Sequence, residues 1–449
     1  MKAFGSQRVI LGSKVVPAII ITGDGVVKEV FEGVSDVRAQ IARKYPGIVI
    51  EDFGEKILMP GLVDSHVHCD EPGRAHWECF WTATQAAAAG GITTIIDMPL
   101  NSIPPTTTVK NFEEKLTFAR NKIFVDAGFW GGVVPGNAKE LKAMLKAGVL
   151  GFKCFLIPSG TPEFRYVSIE DVEEALEELK STRSVLLFHA EFDETVSHEG
   201  LDPKLYSTFL HCRPSSMETR AITKVAELCK KSQVRCHIVH LSACEALKLV
   251  ADAKKNGAPL TAETCHHYLT FAAEEIPDSA TLYKCCPPIR NRENREKLWE
   301  ALKNGTLDMI NSDHSPCTVD LKTPDFLEAW GGISSLQFGL PVAWTEAKKR
   351  GITLPALVKW MSTNPAKLAG LEKRKGAIAP GMDADFVVWD PEAMITVKTT
   401  DILYKNKISP YENRELFGKV HATILAGEFI FKDQKVVEKP QGKLLLNEN

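Results

Sequence analysis

The stretch LVDSHVH, residues 62–68, combines the pattern of a buried strand with two candidate ligands. A short, mostly apolar run of this kind is typical of a strand that is covered on both faces. His66 and His68 are one residue apart, so in an extended strand both side chains point to the same face. Two imidazoles on one face can converge on a metal ion, but the same spacing also occurs in ordinary core or surface pairs. The meaning of the pair therefore depends on the rest of the chain.

Seven further apolar runs of strand length follow this stretch, and helical segments such as Trp77–Ala89, Ile169–Lys180, Ser216–Lys231 and Cys244–Lys255 alternate with them. Eight successive βα units predict an α/β fold, the (β/α)8 TIM barrel. The eight predicted strands are Leu62–Val67, Ile92–Met98, Ile123–Phe129, Val149–Phe155, Ser184–His189, Cys236–Leu241, Pro259–Thr264 and Asp308–Asn311.

Both ends of the chain have a different texture, with short β-rich runs separated by Gly, Ser and Asp turn signals. Two β-rich ends therefore flank a different middle. The predicted division is residues 1–57 and 377–449 for the β-rich ends and residues 58–376 for the barrel. Asp385, in the C-terminal segment, has the sequence context of a turn residue.

Composition excludes several classes of protein. The 449 residues carry 54 basic and 57 acidic side chains, a formal charge of −3, so no basic excess indicates nucleic-acid binding. No apolar run is long enough to span a bilayer, so we expect no membrane segment. The 11 cysteines are odd in number and irregularly spaced, which favours free thiols in a reducing compartment.

The ends of other predicted strands add polar residues to the first pair. In a TIM barrel the active site lies at the C-terminal ends of the strands. His189 ends strand five, His240 lies at the end of strand six, and Asp313 follows strand eight. Histidines and a carboxylate that meet at one mouth are suitable ligands for a divalent ion.

Lys153 lies near the end of strand four, where a protonated amine would be repelled by a metal ion. Two interpretations of Lys153 follow from the residues alone. The side chain either points outward to a salt bridge, or its charge is removed by reaction with carbon dioxide, giving a carbamate that can bridge two metals.

Sequence motifs throughout the chain are similar to the cyclic-amidohydrolase branch of the amidohydrolase superfamily. They occur in the same order over nearly the whole chain, which makes chance agreement implausible. The motifs are GLVDSHVHCDEPGRAHWE, GGITTIIDMPLNSIPPTT, GFKCF, FHAE, HIVHLS, AETCHHYL, KCCPPIR, NSDHSPC, AWGGISSLQ and GAIAPGMDADFVVWDP.

The resemblance implies a centre of two Zn²⁺ ions, with Lys153 carboxylated by CO2. It implies hydrolysis of a cyclic amide by a hydroxide that bridges the two metals, with Asp313 as general base and acid. It also implies a homotetramer, and it implies that residues 1–57 and 377–449 fold together as a small β-sandwich beside the barrel. The ligands that it implies are His66, His68, Lys153, His189, His240 and Asp313.

Within this branch the chain most resembles the enzymes that open the hydantoin ring of allantoin to give allantoate, a step of purine catabolism. Dihydroorotases carry an arginine two residues after the second histidine, whereas this chain has Asp70. Dihydropyrimidinases and hydantoinases place a tyrosine shortly after the lysine, and residues 153–158 contain none. A dihydropyrimidinase or hydantoinase activity stays as an alternative, and so does a catalytically silent scaffold that keeps the fold.

Several residues are candidates for contact with the substrate. Asn101 lies after strand two, Cys286 precedes two prolines, and Gly332 allows close backbone approach after strand eight. Each of the three also has a structural interpretation, as a turn, a buried thiol or a turn glycine respectively. His266 and His267, after strand seven, could contact substrate, but packing at the strand end is the favoured interpretation.

Cytoplasm is the expected compartment, with the mitochondrion or the peroxisome as alternatives. A small molecule, allantoin, is the expected partner, with no nucleic acid and no membrane.

Overall fold

The computed structural model describes residues 1–33 and 35–447. Position 34 and the last two positions of the predicted segment 377–449 lie outside the described residues. The strands are β1 (Lys2–Leu11), β2 (Lys14–Gly23), β3 (Val26–Glu32), β4 (Ile50–Asp52), β5 (Ile57–Pro60), β6 (Leu62–Val67), β7 (Ile92–Asp97), β8 (Asp126–Phe129), β9 (Gly131–Gly132), β10 (Phe152–Phe155), β11 (Val185–His189), β12 (Arg235–Ile238), β13 (Leu260–Cys265), β14 (Met309–Asn311), β15 (Phe386–Thr396), β16 (Glu415–Leu425), β17 (Glu428–Lys432) and β18 (Lys435–Val436).

Helices follow most of the central strands. They are α1 (Ser35–Lys44), α2 (Phe80–Ala89), α3 (Val109–Ala119), α4 (Leu141–Ala147), α5 (Ile169–Leu179), α6 (Tyr206–Cys212), α7 (Ser215–Ser232), α8 (Leu247–Lys255), α9 (His266–Thr270), α10 (Arg292–Asn304), α11 (Gly339–Lys349), α12 (Leu354–Val358) and α13 (Asn364–Leu368).

The strands from β6 to β14 form the barrel. β6, β7 and β8 pair in parallel, and β9 to β14 form a second parallel group. A parallel bridge between Val67 and His314 joins the first and last barrel strands. The TIM barrel predicted from eight βα units is therefore confirmed, and the C-terminal ends of its strands share one mouth.

The third barrel strand consists of two short segments, β8 and β9. Each segment pairs with a different parallel group, so together they connect the two groups. β8 pairs with β7, whereas β9 pairs with β10. Between them, the Trp130 amide donates to the Asp97 carbonyl at 2.9 Å, while the next amide, of Gly131, donates to Gly151 at 2.8 Å. The strand thus changes partner at Trp130, and its start at Asp126 corrects the longer strand predicted from Ile123.

The helices follow the sequence pattern directly, as α5 illustrates. Ser168 caps its N-terminus, because the hydroxyl accepts from the Asp171 amide at 3.1 Å and the Asp171 carboxylate accepts from the Ser168 amide at 2.9 Å. Its buried positions recur at helical spacing, so one stripe of the helix packs on the barrel. These positions are Val172, Ala175, Leu176 and Leu179.

Both chain ends contribute to one nine-stranded sheet, in which β5 connects β1 from the N-terminal segment to β15 from the C-terminal segment. A flat sheet would separate β1 from β17 by four spacings of about 4.8 Å. The rings of Phe4 on β1 and Phe429 on β17 nevertheless lie 6.0 Å apart. The sheet therefore folds over on itself around its own core. The two layers expected from the two chain ends are thus parts of one continuous sheet.

A buried ionic cluster connects the barrel to this sheet. Lys375, 1% exposed at its side chain, lies 2.6 Å from Asp126 on β8, 2.9 Å from Asp383 and 2.5 Å from Asp385. Burial opposes its charge, but the three carboxylates outweigh burial and hold the pKa of Lys375 above its ordinary value. Asp385 is therefore an ionic contact in the interior, which corrects its interpretation as a simple turn residue.

The predicted domain division between residues 57 and 58 falls within a strand. β5 pairs with the terminal sheet, and the barrel strand β6 begins two residues after β5 ends. Near the C-terminus, the Leu445 amide donates to the Ala127 carbonyl of β8 at 2.8 Å. The chain end therefore lies against the barrel, and the exact division into domains stays a prediction. None of the helices in the described residues has the length and apolar character needed to cross a membrane.

Candidate active site at the barrel mouth

The structure brings the four predicted histidines to one place. The ring centroids of His66 and His68 lie 5.7 Å apart, those of His66 and His240 lie 5.4 Å apart, and those of His189 and His240 lie 4.6 Å apart. His66 lies on β6 and His189 ends β11. The predicted convergence at the carboxyl ends of the strands is thus observed.

Asp313 and Lys153 complete the group. Asp313 Oδ1 is 3.0 Å from His66 Nε2 and 3.5 Å from His68 Nε2. Lys153 is buried on β10, with its Nζ 5.1 Å from the centre of the Phe155 ring, and that ring stacks on His189 at 4.4 Å. All six predicted ligands therefore face one mouth, and their binding of metal stays a prediction.

Two of these residues have an uncommon backbone conformation. His240 has φ 39° and Asp313 has φ 44°, in the left-handed region that non-glycine residues rarely occupy. β12 ends at Ile238, so His240 lies in the following turn rather than in the strand predicted to run to Leu241. Such conformations cost about 1–3 kcal/mol each and are typical of functional sites, where they aim a side chain.

The side chains fit a metal ion on their own chemistry. His240 Nδ1 is buried without a hydrogen-bond partner among the described residues, and His66 Nε2 lies 3.0 Å from Asp313 Oδ1 without the geometry of a hydrogen bond. Ligand atoms of His66, His240 and Asp313 all lie within 4.8 Å of one another. Because buried polar atoms are almost always satisfied, unpartnered nitrogens beside a carboxylate are what an imidazole-carboxylate metal site requires.

Burial also sets the protonation that ligands need. It lowers the pKa of His68 to about 4 and, helped by His189 and Lys153, lowers that of His240 well below its ordinary value. Burial alone would raise the pKa of Asp313, but His66 and His68 outweigh it, and the carboxylate stays ionised. Neutral imidazoles and an ionised carboxylate are the forms that bind metals, which suits His68, His240 and Asp313. At His66, by contrast, Asp313 and Glu263 outweigh burial and raise the pKa above its ordinary value.

Burial also changes the protonation of Lys153. Burial lowers its pKa to about 8, against the opposing influence of Asp313 and Glu263. At pH 7 about a tenth of the Lys153 amines are then uncharged, far more than at the ordinary lysine pKa. Only an uncharged amine can react with carbon dioxide, so this environment fits the carbamate interpretation of Lys153 better than an outward salt bridge.

Carboxylates that the sequence analysis missed hold the histidines in place. Glu263 on β13 accepts from His66 Nδ1 and lies 3.1 Å from His237. Glu191 lies 2.7 Å from His189 Nε2 and 2.6 Å from Arg213. Contacts of this type fix the tautomer and orientation of ligand imidazoles. Glu191 follows His189 by two residues, a spacing that could have indicated its role.

The predicted substrate contacts have varied surroundings. Asn101 Nδ2 is 3.3 Å from His68 Nδ1, so this side chain orients a candidate ligand. Cys286 is half-buried, and its Sγ would be 3.3 Å from a Cβ built on Gly331. Gly332 packs so closely that a Cβ would lie 2.2 Å from the Ser315 carbonyl oxygen, which explains the glycine without a ligand.

Curated proteins that are similar to this chain match it over most or all of its length. An allantoinase of Streptomyces avermitilis is 46% identical over 447 residues, which cover 99% of this chain and 98% of that protein. An allantoinase of Saccharomyces cerevisiae is 42% identical over 461 residues, covering 100% and 99%. A protein of Aquarana catesbeiana named as a mitochondrial allantoinase is 52% identical over 370 residues, covering 82% and 75%.

Solved structures and a family comparison agree with these relatives. An L-hydantoinase (dihydropyrimidinase) from Arthrobacter aurescens superposes with a TM-score of 0.90 at 29% identity, covering 99% of this chain and 100% of the other. A D-hydantoinase from Thermus sp. gives 0.87 at 26%, covering 100% and 99%. Residues 57–430, well over half of the chain, match the amidohydrolase family. With its barrel and its cluster of histidines and a carboxylate at the mouth, this chain belongs to the amidohydrolase family.

Proposed function

We propose that this protein is a cyclic amide hydrolase that opens the hydantoin ring of allantoin to give allantoate, a step of purine catabolism. The observation that carries this proposal is the 46% identity to a protein named allantoinase, over 99% of the chain. The six buried candidate residues at the barrel mouth supply suitable chemistry for such a reaction.

Two Zn²⁺ ions are the proposed cofactors, with Lys153 carboxylated by CO2. When bound, they would supply Lewis acidity and lower the pKa of a water molecule toward neutrality. The unpartnered nitrogens of His66 and His240 and the low pKa of His68 support this assignment. The residues proposed to hold the ions are His66, His68, Lys153, His189, His240 and Asp313.

Asp313 is the proposed general base and acid. Its carboxylate is ionised and buried beside His66 and His68, so it can accept a proton from the attacking water. It can then deliver that proton to the ring nitrogen that leaves when the amide bond breaks. The backbone at φ 44° holds the carboxylate at this position.

Asn101, Cys286 and Gly332 are the proposed contacts to the ring. Cys286 is half-buried, so part of its surface is open to a ligand. Asn101 is proposed to act from beside His68.

A second candidate function is the opening of a hydantoin or dihydropyrimidine ring. The TM-score of 0.90 to a protein named L-hydantoinase favours this alternative, although identity to it is only 29%. The silent-scaffold alternative requires a degraded site, and all six candidate residues are in place here. Because identity is higher to the relative named allantoinase, at 46%, we rank allantoin first among the candidate substrates.

The proposed compartment is the cytoplasm, with the mitochondrion and the peroxisome as alternatives. All eleven cysteines lie among the described residues as free thiols, which fits a reducing compartment. The proposed assembly is a homotetramer, and light scattering on the purified protein, with an expected mass of four chains, tests it.

Purified protein reconstituted with zinc and bicarbonate is expected to convert allantoin to allantoate, and a chelator is expected to abolish turnover. The physical reason is that water becomes a strong nucleophile once it loses a proton, and bound metals would lower its pKa toward neutrality. Colorimetric assay of allantoate, with hydantoin, dihydrouracil and dihydroorotate as parallel substrates, measures the result. Faster opening of any of those three rings would contradict allantoin as the substrate.

Glu263→Gln is expected to weaken metal binding by about 10–100-fold, because His66 would lose the carboxylate that orients its ring. Competition with a fluorescent zinc chelator measures the affinity directly and does not depend on activity. Glu300→Gln is a matched control, because the Glu300 side chain is 66% exposed and pairs with Lys303 at the surface. Unchanged zinc affinity in Glu263→Gln would remove the positioning role of Glu263.

A further inference from the structure

One histidine at the barrel mouth has no role in the site described so far. His267 follows β13 in the first turn of α9 and is 0% exposed. Both of its ring nitrogens are buried without a hydrogen-bond partner among the described residues. An unsatisfied buried donor or acceptor is costly, so a ring with two such atoms favours a bound molecule that completes its hydrogen bonds. The neighbouring His266 also has no partner for either ring nitrogen, so what distinguishes His267 is its position in the site.

The position of His267 shows where that molecule would be. A ring nitrogen of His267 lies within 4.8 Å of the Asp313 carboxylate and the Cys265 thiol. His267 therefore lies next to the proposed general base without being hydrogen-bonded to it.

Packing holds the imidazole in this place. The Tyr268 ring meets it edge to face at 4.2 Å, and the Tyr268 hydroxyl donates to the Pro287 carbonyl at 2.7 Å. Pro287 follows Cys286, one of the proposed substrate contacts. The His267 ring thus packs on Tyr268, which is itself bonded to the segment that carries Cys286, and it lies near Asp313, the proposed base of the ring-opening reaction.

We propose that His267 is a catalytic residue that donates a ring N–H to the carbonyl oxygen of the cyclic amide as negative charge develops on it. This inference rests on the proposed function, since it needs a ring amide attacked beside Asp313. A fixed donor aimed at a developing oxyanion stabilises the transition state more than the bound substrate. Its removal therefore acts on kcat rather than on KM.

The test compares His267→Phe, which keeps the ring shape without a donor, with His267→Gln, which keeps an N–H. We expect His267→Phe to lower kcat by about 10²–10³-fold with little change in KM, and His267→Gln to regain part of that loss. Zinc content and the circular dichroism spectrum are expected to match those of the parent. His266→Gln is the matched control, because His266 is equally buried but packs against Gly339 of α11, and its kcat is expected to stay near the parental value.

A parental kcat in zinc-loaded His267→Phe would overturn the proposal. Loss of zinc in proportion to the loss of activity would also overturn it, because His267 would then be a metal ligand in the cluster with Cys265 and Asp313. The parent is assayed first on all four rings. If it opens a ring other than allantoin, the proposed substrate fails, while the same variants still decide the role of His267 on that ring. If a zinc-loaded parent opens none of them, both proposals fail.

Discussion

Asp313→Asn is expected to reduce kcat for ring opening by about 10²–10⁴-fold, the largest change among the substitutions considered for this site. Asparagine has nearly the same shape as aspartate but cannot take up a proton at neutral pH. The carboxylate is buried and lies 3.0 Å from His66 Nε2, so no bulk water can replace it as the proton acceptor. Steady-state kinetics, with the zinc content of each preparation determined by mass spectrometry, measures the effect.

Asp320→Asn is the matched control for this substitution. Asp320 lies seven residues further along the same loop and is exposed to solvent, so the variant is expected to retain the parental kcat. Zinc content separates the two roles proposed for Asp313. An Asp313→Asn protein that binds zinc and turns over at the parental rate would contradict the role of Asp313 in proton transfer.

Lys375→Met is expected to lower the free energy of unfolding by about 3–5 kcal/mol, because a buried cation is removed from among three carboxylates. Asp126, Asp383 and Asp385 all lie within 2.9 Å of its amine, and the Lys375 side chain is 1% exposed. In the variant Asp126 and Asp385 would lose this cation, while Asp383 would keep its 3.1 Å contact with Arg374. Urea unfolding followed by circular dichroism measures the change.

Lys231→Met is the control for the loss of a lysine charge. Lys231 pairs with Glu173 at the surface, where its side chain is 76% exposed, and such pairs contribute little to stability. The unfolding midpoint of Lys231→Met is therefore expected to stay close to that of the parent. If Lys375→Met unfolds at the same urea concentration as this control, the cluster is not an important connection between barrel and sheet.

The barrel could be predicted because its signals are local. Each strand is a short apolar run and each helix a 3.6-residue pattern, so eight alternations identify the fold without knowledge of any contact. Strand ends were less accurate, as at His240, because a single left-handed residue ends a strand without leaving a clear signal in composition.

The histidines at the mouth were also accessible from sequence, since the barrel rule places strand ends together. The carboxylates behind them were not. Glu263 approaches His66 from a strand 197 positions away in the chain, and no local pattern relates the two residues. Asp385 was misinterpreted because its ion pair with Lys375 is buried against Asp126 on a distant strand, and no local pattern indicates that burial.

The sequence by itself determined the fold class, the candidate ligands and the resemblance to cyclic amidohydrolases, because periodicity and residue type at strand ends are written along the chain. Only the tertiary structure decided which groups are buried, which are hydrogen-bonded and which are left without a partner. His267 illustrates the difference, because in the sequence it cannot be told from a histidine packed in the core. Its unpartnered nitrogens and its position near Asp313 become visible only when distant segments come together. Desolvation and hydrogen bonding are properties of an environment, and that environment is assembled from residues far apart in the chain.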